Sequence, residues 1–164
     1  RFQWGWNNSF RYKDFDLSFL ISGVHGFDIY NKTRELRLVG SGGNIVLSPN
    51  PELLNRWTPE NENTRIPGFV PQTNSLSPSD EFIEKGSYVK IKNITLGYTL
   101  PKNITQKMRI SNLRVYASLQ NPFLISSYSG LDPEVALKSP LTPGIDYGYY
   151  PNGRNYLLGL NLAF

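Results

Sequence analysis

The sequence contains no cysteine. That excludes a disulfide framework, a thiolate metal site and a cysteine nucleophile, although it does not identify a compartment. Histidine occurs once, as His25, so a nucleophilic triad has a single base to draw on, and no nucleophile-elbow motif accompanies it. No run approaches eighteen consecutive apolar residues, which excludes a transmembrane helix. Neither sign of charge dominates: 17 Lys and Arg against 13 Asp and Glu leave a net +4. The basic residues are scattered along the chain, so no nucleic-acid partner is expected. The chain begins on Arg1 and shows no signal peptide, which reads as a mature or internal fragment of one-domain length.

What is present points to strands and turns. Tyr, Phe and Trp make up 13% of the residues, and 12 Pro with 14 Gly announce many turns and long loops. The mean hydropathy of −0.37 is compatible with a barrel, where only alternate residues meet lipid.

The last eleven residues carry the clearest pattern. Tyr156, Leu158, Leu160, Leu162 and Phe164 occupy every second position and so share one face of a strand. Asn155, Leu157, Gly159, Asn161 and Ala163 form the other, mostly small or polar face. A strand of this kind fits either a soluble sheet or a membrane barrel. From Tyr156 to Phe164 it extends about 27 Å. At a tilt of about 40° it rises about 20 Å, close to the apolar band of an outer-membrane barrel. Ending on Phe164 without a polar tail is unusual for a soluble domain, whose termini usually fray.

The same alternation recurs earlier. Trp4, Trp6, Asn8, Phe10 and Tyr12 share one parity; Phe15, Leu17, Phe19 and Ile21 share the opposite one. A parity switch across two polar residues marks a tight hairpin, with strands over 3–12 and 15–23 and the turn at 13–14. Residues 24–86 break the pattern with a Gly40-Ser-Gly-Gly43 run and six prolines. They are expected to form one long loop, holding a short helix over Pro51–Trp57 with Asn50 as its cap. A strand over 87–100 follows, with Ile94, Leu96, Tyr98 and Leu100 on one face. Strict alternation puts Lys90 and Lys92 on that face too, where they would reach anionic head groups above the hydrocarbon. The next strand covers 112–125, and Asn121-Pro122 is expected to kink or bulge it. A second long loop, 127–153, precedes the final strand, 154–164. Short and long connections alternate strictly, as in an up-and-down antiparallel barrel.

Several segments, in this order, carry a family resemblance. They are Asn8–Phe19, Leu54–Asn61, Gly86–Pro101 with its Tyr-Val-Lys-Ile-Lys-Asn-Ile-Thr-Leu-Gly-Tyr core, Leu113–Asn121, Tyr128–Glu134 and the terminal Phe164. Together they resemble the C-terminal part of SusC/RagA-type TonB-dependent outer-membrane transporters, over almost all of the chain. The resemblance implies a β-barrel of roughly 22 strands, in the outer membrane of a Gram-negative bacterium. It also implies an N-terminal plug, energy supplied through TonB, and a SusD-like surface lipoprotein closing over the extracellular mouth. The implied cargo is an oligosaccharide or a peptide. Residues 1–164 would then be about the last five strands of an all-β transmembrane barrel. The stretches 24–86 and 127–153 would be its long extracellular loops, and the plug would lie outside this chain. Five strands cannot close such a barrel, so the remainder of it is an expected partner. In proteins of this class the terminal strand and its final Phe are read by the barrel-assembly machinery. Tyr156, Leu158, Leu160, Leu162 and Phe164 are therefore candidates both for contact with outer-membrane lipid and for that signal.

Catalysis finds little support. The candidate carboxylates for hydrolysis are Asp14/Asp16, Asp80/Glu81/Glu84 and Asp132/Glu134. The first pair belongs to a turn and strand start, the second group reads as a solvated loop, and the third as a turn in an exposed loop. The Gly40–Gly43 run lacks the Lys-Ser/Thr of a phosphate loop. No catalytic, metal or cofactor-binding residue is assigned. The loop aromatics Trp57, Tyr147, Tyr149 and Tyr150 are candidates for stacking on sugar rings or peptide side chains, for packing against a lid protein, or for packing within their own loops. The competing reading, from another class, is a soluble carbohydrate-binding β-sandwich: a monomer of 18.7 kDa.

Overall fold

A computed structural model describes residues 1–39, 51–66, 68, 79–137 and 141–164. Its elements, in chain order, are strands β1 (Phe2–Tyr12), β2 (Phe15–His25) and β3 (Asp28–Asn31), helix α1 (Lys32–Val39), strands β4 (Ile83–Lys85) and β5 (Tyr88–Thr99), the one-turn helix α2 (Lys102–Thr105), strand β6 (Asn112–Ser126), the one-turn helix α3 (Pro133–Ala136), and strands β7 (Ile145–Asp146) and β8 (Asn155–Ala163). They divide into two compact units. One comprises Arg1–Phe27, Ser87–Ser127 and Pro151–Phe164; the other comprises Asp28–Gly86 and Tyr128–Tyr150.

The first unit is one antiparallel sheet in the order β1-β2-β5-β6-β8, an up-and-down arrangement of neighbours. Its five strands fall where the alternation puts them. The hairpin register runs from Tyr12↔Phe15 to Phe2↔His25. Its two-residue turn has Lys13 at φ 53°, the positive φ that a tight hairpin demands. A sandwich would place a second sheet against the apolar face. Here that face is open: Tyr156 is 76% exposed and Leu158 87%.

One feature of this sheet departs from simple alternation. Ile21 pairs with Ile91 and Leu20 with Asn93, so Lys92 is an extra, unpaired residue in β5. On the other side Ile91 pairs with Phe123 and Asn93 with Gln120, so Asn121 and Pro122 together oppose Lys92 and β6 carries one extra residue. Asn121 sits at φ 51°, a conformation Asn tolerates better than most residues. The irregularity in β6 is the expected bulge; the extra Lys92 reverses the parity of everything before it in β5. Lys90 therefore pairs with Ser22 and Leu124, on the polar face, and is only 2% exposed. The expectation that Lys90 lies on the Ile94 face and reaches head groups is overturned.

The second unit gives the two long connections regular structure beyond the one short helix expected of them. β3 runs between β4, antiparallel through Ile29↔Glu84, and β7, parallel through Tyr30↔Ile145. Parts of both long connections thus share one small sheet. The Asn31 side chain accepts a hydrogen bond from the Arg34 N–H at 2.9 Å and caps the first turn of α1. Ile29, Leu38, Phe82, Tyr128 and Ala136 supply a buried core. Pro51–Asn55 form a 3-10 turn, shorter than the helix expected there; its expected cap Asn50 and the Gly40–Gly43 run lie outside the described residues.

Candidate functional site

Three surfaces carry chemistry: the two faces of the five-stranded sheet and a cleft in the second unit.

The apolar face is laid out in rows by the register. Tyr12, Phe15, Tyr98, Val115 and Leu160 form the row at the β1–β2 turn. Phe10, Leu17, Leu96, Ala117 and Leu158 form the next, and Phe19, Ile94, Leu119 and Tyr156 follow with Asn8. Trp6 and Phe123 flank Ile21 and Ile91 beyond them, and Trp4 lies beside Gly23. From Tyr12 to Trp4 the rows extend about 26 Å along the strands. Aromatic residues thus stand at both ends of a mainly aliphatic band, with Phe10 and Phe19 within it. The assembly-signal candidates Tyr156, Leu158, Leu160 and Leu162 fall on this face, and Phe164, just past the end of β8, is 91% exposed.

The opposite face is hydrogen-bonded. Arg114 Nε donates to Asp16 Oδ1 at 2.8 Å. The pair bridges β2 and β6 across the intervening β5, over Gly97, where any side chain would collide with both partners. Thr95 and Ser118 share a hydrogen bond of 2.9 Å, Ser118 donates to Asn93 Oδ1 at 2.9 Å, and Asn155 donates to Gln120 at 3.1 Å. The Tyr116 ring covers Gly159. This face offers donors and acceptors to a hydrated, polar solute and no apolar row.

In the second unit Asn31 is the hub. Its Nδ2 donates to Glu84 Oε1 at 3.0 Å and to Ser129 Oγ at 3.1 Å. Glu84 also accepts from the Ser129 N–H at 2.8 Å. The Tyr128 hydroxyl donates to Asp146 Oδ2 at 2.6 Å, and Asp146 Oδ1 accepts from the Gly148 and Tyr149 N–H groups. Burial, reinforced by the Asp146 carboxylate, holds the Tyr128 phenol well above its ordinary range. Burial likewise pushes Tyr30 up to about 12, helped by its hydrogen bond to Glu35. Arg34 donates to Glu52 at 2.8 Å, and that bond raises its pKa further. Asn31, Arg34, Glu52, Ser129, Asp146 and Tyr149 are among the residues bounding a cleft of about 250 Å³.

Of the loop aromatics, Tyr149 lines this cleft and Tyr147 meets it edge-on at 6.5 Å. Tyr150 is 90% exposed. Trp57 is half-exposed and tied through its N–H to the Ile66 carbonyl at 2.9 Å; neither it nor Tyr150 lines the cleft. Four of the candidate carboxylates are structural. Asp16 holds Arg114, Glu81 pairs with Arg65 at 2.9 Å, and Glu84 holds Asn31 and Ser129, so Glu81 and Glu84 do not belong to a solvated loop, whereas Asp80 is exposed. Asp132 caps α3 by accepting from the Glu134 N–H at 3.1 Å, and it is buried, not set in an exposed turn. Among the described residues no group of three or more His, Asp or Glu is placed to hold a metal ion. Sequence reading missed Asn31, Tyr128 and Asp146. The usable signal was Asn31 standing directly before Lys-Thr-Arg-Glu-Leu, a cap before a helical run.

No protein-family model matches the chain. The TonB-dependent receptor P3 of Formosa agariphila is 35% identical to it over 169 residues, covering 99% of this chain and 16% of that protein. The TonB-dependent receptor SusC of Bacteroides thetaiotaomicron is 37% identical over 163 residues, covering 98% of this chain and 15% of that one. Among solved structures, the RagAB peptide transporter matches with a TM-score of 0.76 at 27% identity, covering 92% of this chain and 16% of the other. The RagAB peptide importer in its open-open state matches with a TM-score of 0.78 at 25% identity. The chain thus spans about one sixth of the length of the proteins it matches.

Proposed function

Because this chain is homologous to SusC-type TonB-dependent receptors over nearly its whole length, and folds as a segment of such a receptor's barrel, we propose that it is the C-terminal part of an outer-membrane transporter. The matched proteins are receptors and transporters, and this chain is not an enzyme. Its task on this reading is gated passage. The apolar face of the sheet meets outer-membrane lipid, the hydrogen-bonded face lines the lumen, and the unit built from 28–86 and 128–150 is extracellular. The cargo class is an oligosaccharide or a peptide, taken up with energy from TonB and with a SusD-like lipoprotein as lid. Tyr149 and Tyr147 beside the cleft, together with Trp57 and Tyr150, are the proposed contacts to cargo or lid. The observation that carries the reading is the match to SusC, 37% identical across 98% of the chain.

The test is the native polypeptide carrying this sequence, extracted from membranes in detergent. Its intact mass is expected to be roughly six times the 18.7 kDa of this chain, given the one-sixth coverage. Its gel migration is expected to change on boiling, as a folded barrel unfolds. A water-soluble species of 18.7 kDa with no shift overturns the reading in favour of a soluble module. Deleting Phe164 then isolates the assembly signal: insertion is expected to fall, and unchanged insertion removes that role.

A further inference from the structure

The sheet ends, on the side of its two short connections, in a group of cations. Lys13 occupies the β1–β2 turn; Lys102, Lys107 and Arg109 occupy the link from β5 to β6. The connections are neighbours, because the Thr99 N–H donates to the Asp14 carbonyl at 2.8 Å. All four cationic residues are exposed. None of them is in an ion pair among the described residues. Asp14 is the one carboxylate in either connection.

These cations border the apolar face. Over β1, β2 and β5 its end row is Tyr12, Phe15 and Tyr98, with Leu113 and Leu162 one row further on in β6 and β8, and the Lys13 ammonium lies 5.4 Å from the centre of the Tyr12 ring. Phe15 and Tyr98 stack at 4.6 Å. An exposed apolar surface ending in aromatic rings, and then in unpaired ammonium and guanidinium groups, matches the layering of a lipid leaflet: hydrocarbon, interface, phosphate. A soluble acidic protein would find complementary charge here but would leave the aromatic row uncovered.

We propose that Lys13, Lys102, Lys107 and Arg109 form a binding rim for anionic phospholipid headgroups on the side of the short connections. The proposal rests on the reading of the apolar face as lipid-facing. Each basic residue close to an anionic surface contributes about a five-fold preference, so four of them give a selectivity that experiment resolves.

The test uses the intact transporter carrying this chain, placed in nanodiscs of phosphatidylcholine alone or mixed with phosphatidylglycerol. The unmodified protein is expected to unfold at a higher temperature in the mixed discs. That gain is expected to shrink at about 1 M salt, where charge is screened within about 3 Å. A Lys13→Gln, Lys102→Gln, Lys107→Gln, Arg109→Gln variant is expected to unfold like the unmodified protein in phosphatidylcholine and to lose most of the gain. An equal gain in both proteins, or none in the unmodified one, overturns the rim. Failure to enter nanodiscs, with the protein folded in plain buffer, overturns the lipid-facing reading itself. Should the variant not fold, native mass spectrometry of the unmodified transporter decides. Retention of phosphatidylglycerol over phosphatidylcholine by about five-fold or more supports the rim, and equal retention overturns it.

Discussion

In the unit built from the long connections, Ile29 is 0% exposed and Tyr128 is buried too; in the sheet unit, Leu158 is 87% exposed and the hydrogen-bonded residues occupy the other face. The two units face their solvents in opposite senses. The connection unit has the core that water demands, with Ile29, Leu38, Phe82 and Ala136 inside, although Leu54, Leu131 and Leu141 stay exposed. The sheet unit gathers its paired donors and acceptors on one face, the buried Ser22 hydroxyl excepted, and offers hydrocarbon to the outside on the other, which suits a lipid environment. The difference follows from local composition. Strands of strict alternation make a two-faced sheet, whereas the connections mix short apolar stretches with Asn, Glu, Arg and Tyr that can satisfy one another only by folding together.

The contrast breaks most readily at the two apolar positions that define it. Ile29→Ala in the intact protein is expected to cost about 2–5 kcal/mol, confined to the connection unit. Hydrogen exchange should rise over 28–39 and 145–146 while the sheet amides stay protected; a global loss of protection would show that the units do not fold separately. Leu158→Arg is expected to cost about 2–4 kcal/mol near the middle of a bilayer. Asn161→Arg, on the opposite face of the same strand, should be tolerated. The heat-modifiable folded fraction on gels measures both, and equal losses would remove the distinction between faces. Asn31→Ala, which removes a helix cap and two side-chain hydrogen bonds, is expected to cost about 1–2 kcal/mol, read as a lower protease resistance of residues 28–39.

The smallest effect is a titration. Tyr30 has a folded pKa of about 12 against an ordinary 10. Below pH 10 its contribution to stability is fully present. Between pH 10 and 12 the unfolded chain ionises while the folded one holds its proton, so stability falls as pH rises through that window. Phenolate absorbance should show one tyrosine titrating near 12, and the shift should vanish in Tyr30→Phe. A connection unit whose stability does not change from pH 9 to 12 would mean that Tyr30 is not held as described.

Alternation over 3–12, 15–23, 112–125 and 154–164 was enough to place four strands and their faces, because period two is a property of each segment alone. The two-residue turn at Lys13-Asp14 and the bulge at Asn121-Pro122 were legible for the same reason: Pro cannot donate to a ladder, and a parity switch needs a turn. Lys90 was misplaced because one unpaired residue, Lys92, reverses the face, and only the pairing with Ile21 and Asn93's partner Leu20 reveals it. Glu84 and Asp132 looked like loop carboxylates, and Asp146 went unmarked, because their partners, Asn31, an α3 N–H group and Tyr128, lie in folded segments that alternation does not mark.

By itself, then, the sequence determined the up-and-down strands, their apolar and polar faces and the alternation of short and long connections. These rest on the period of side chains along an extended backbone and on the conformational limits of Gly, Pro and Asn. Tertiary structure alone decided the register across the bulge, the burial of Lys90, the ion pair over Gly97 and the parallel pairing of Tyr30 with Ile145. Each of these joins residues far apart in the chain, and the free energy that fixes them belongs to the pair and to neither segment on its own.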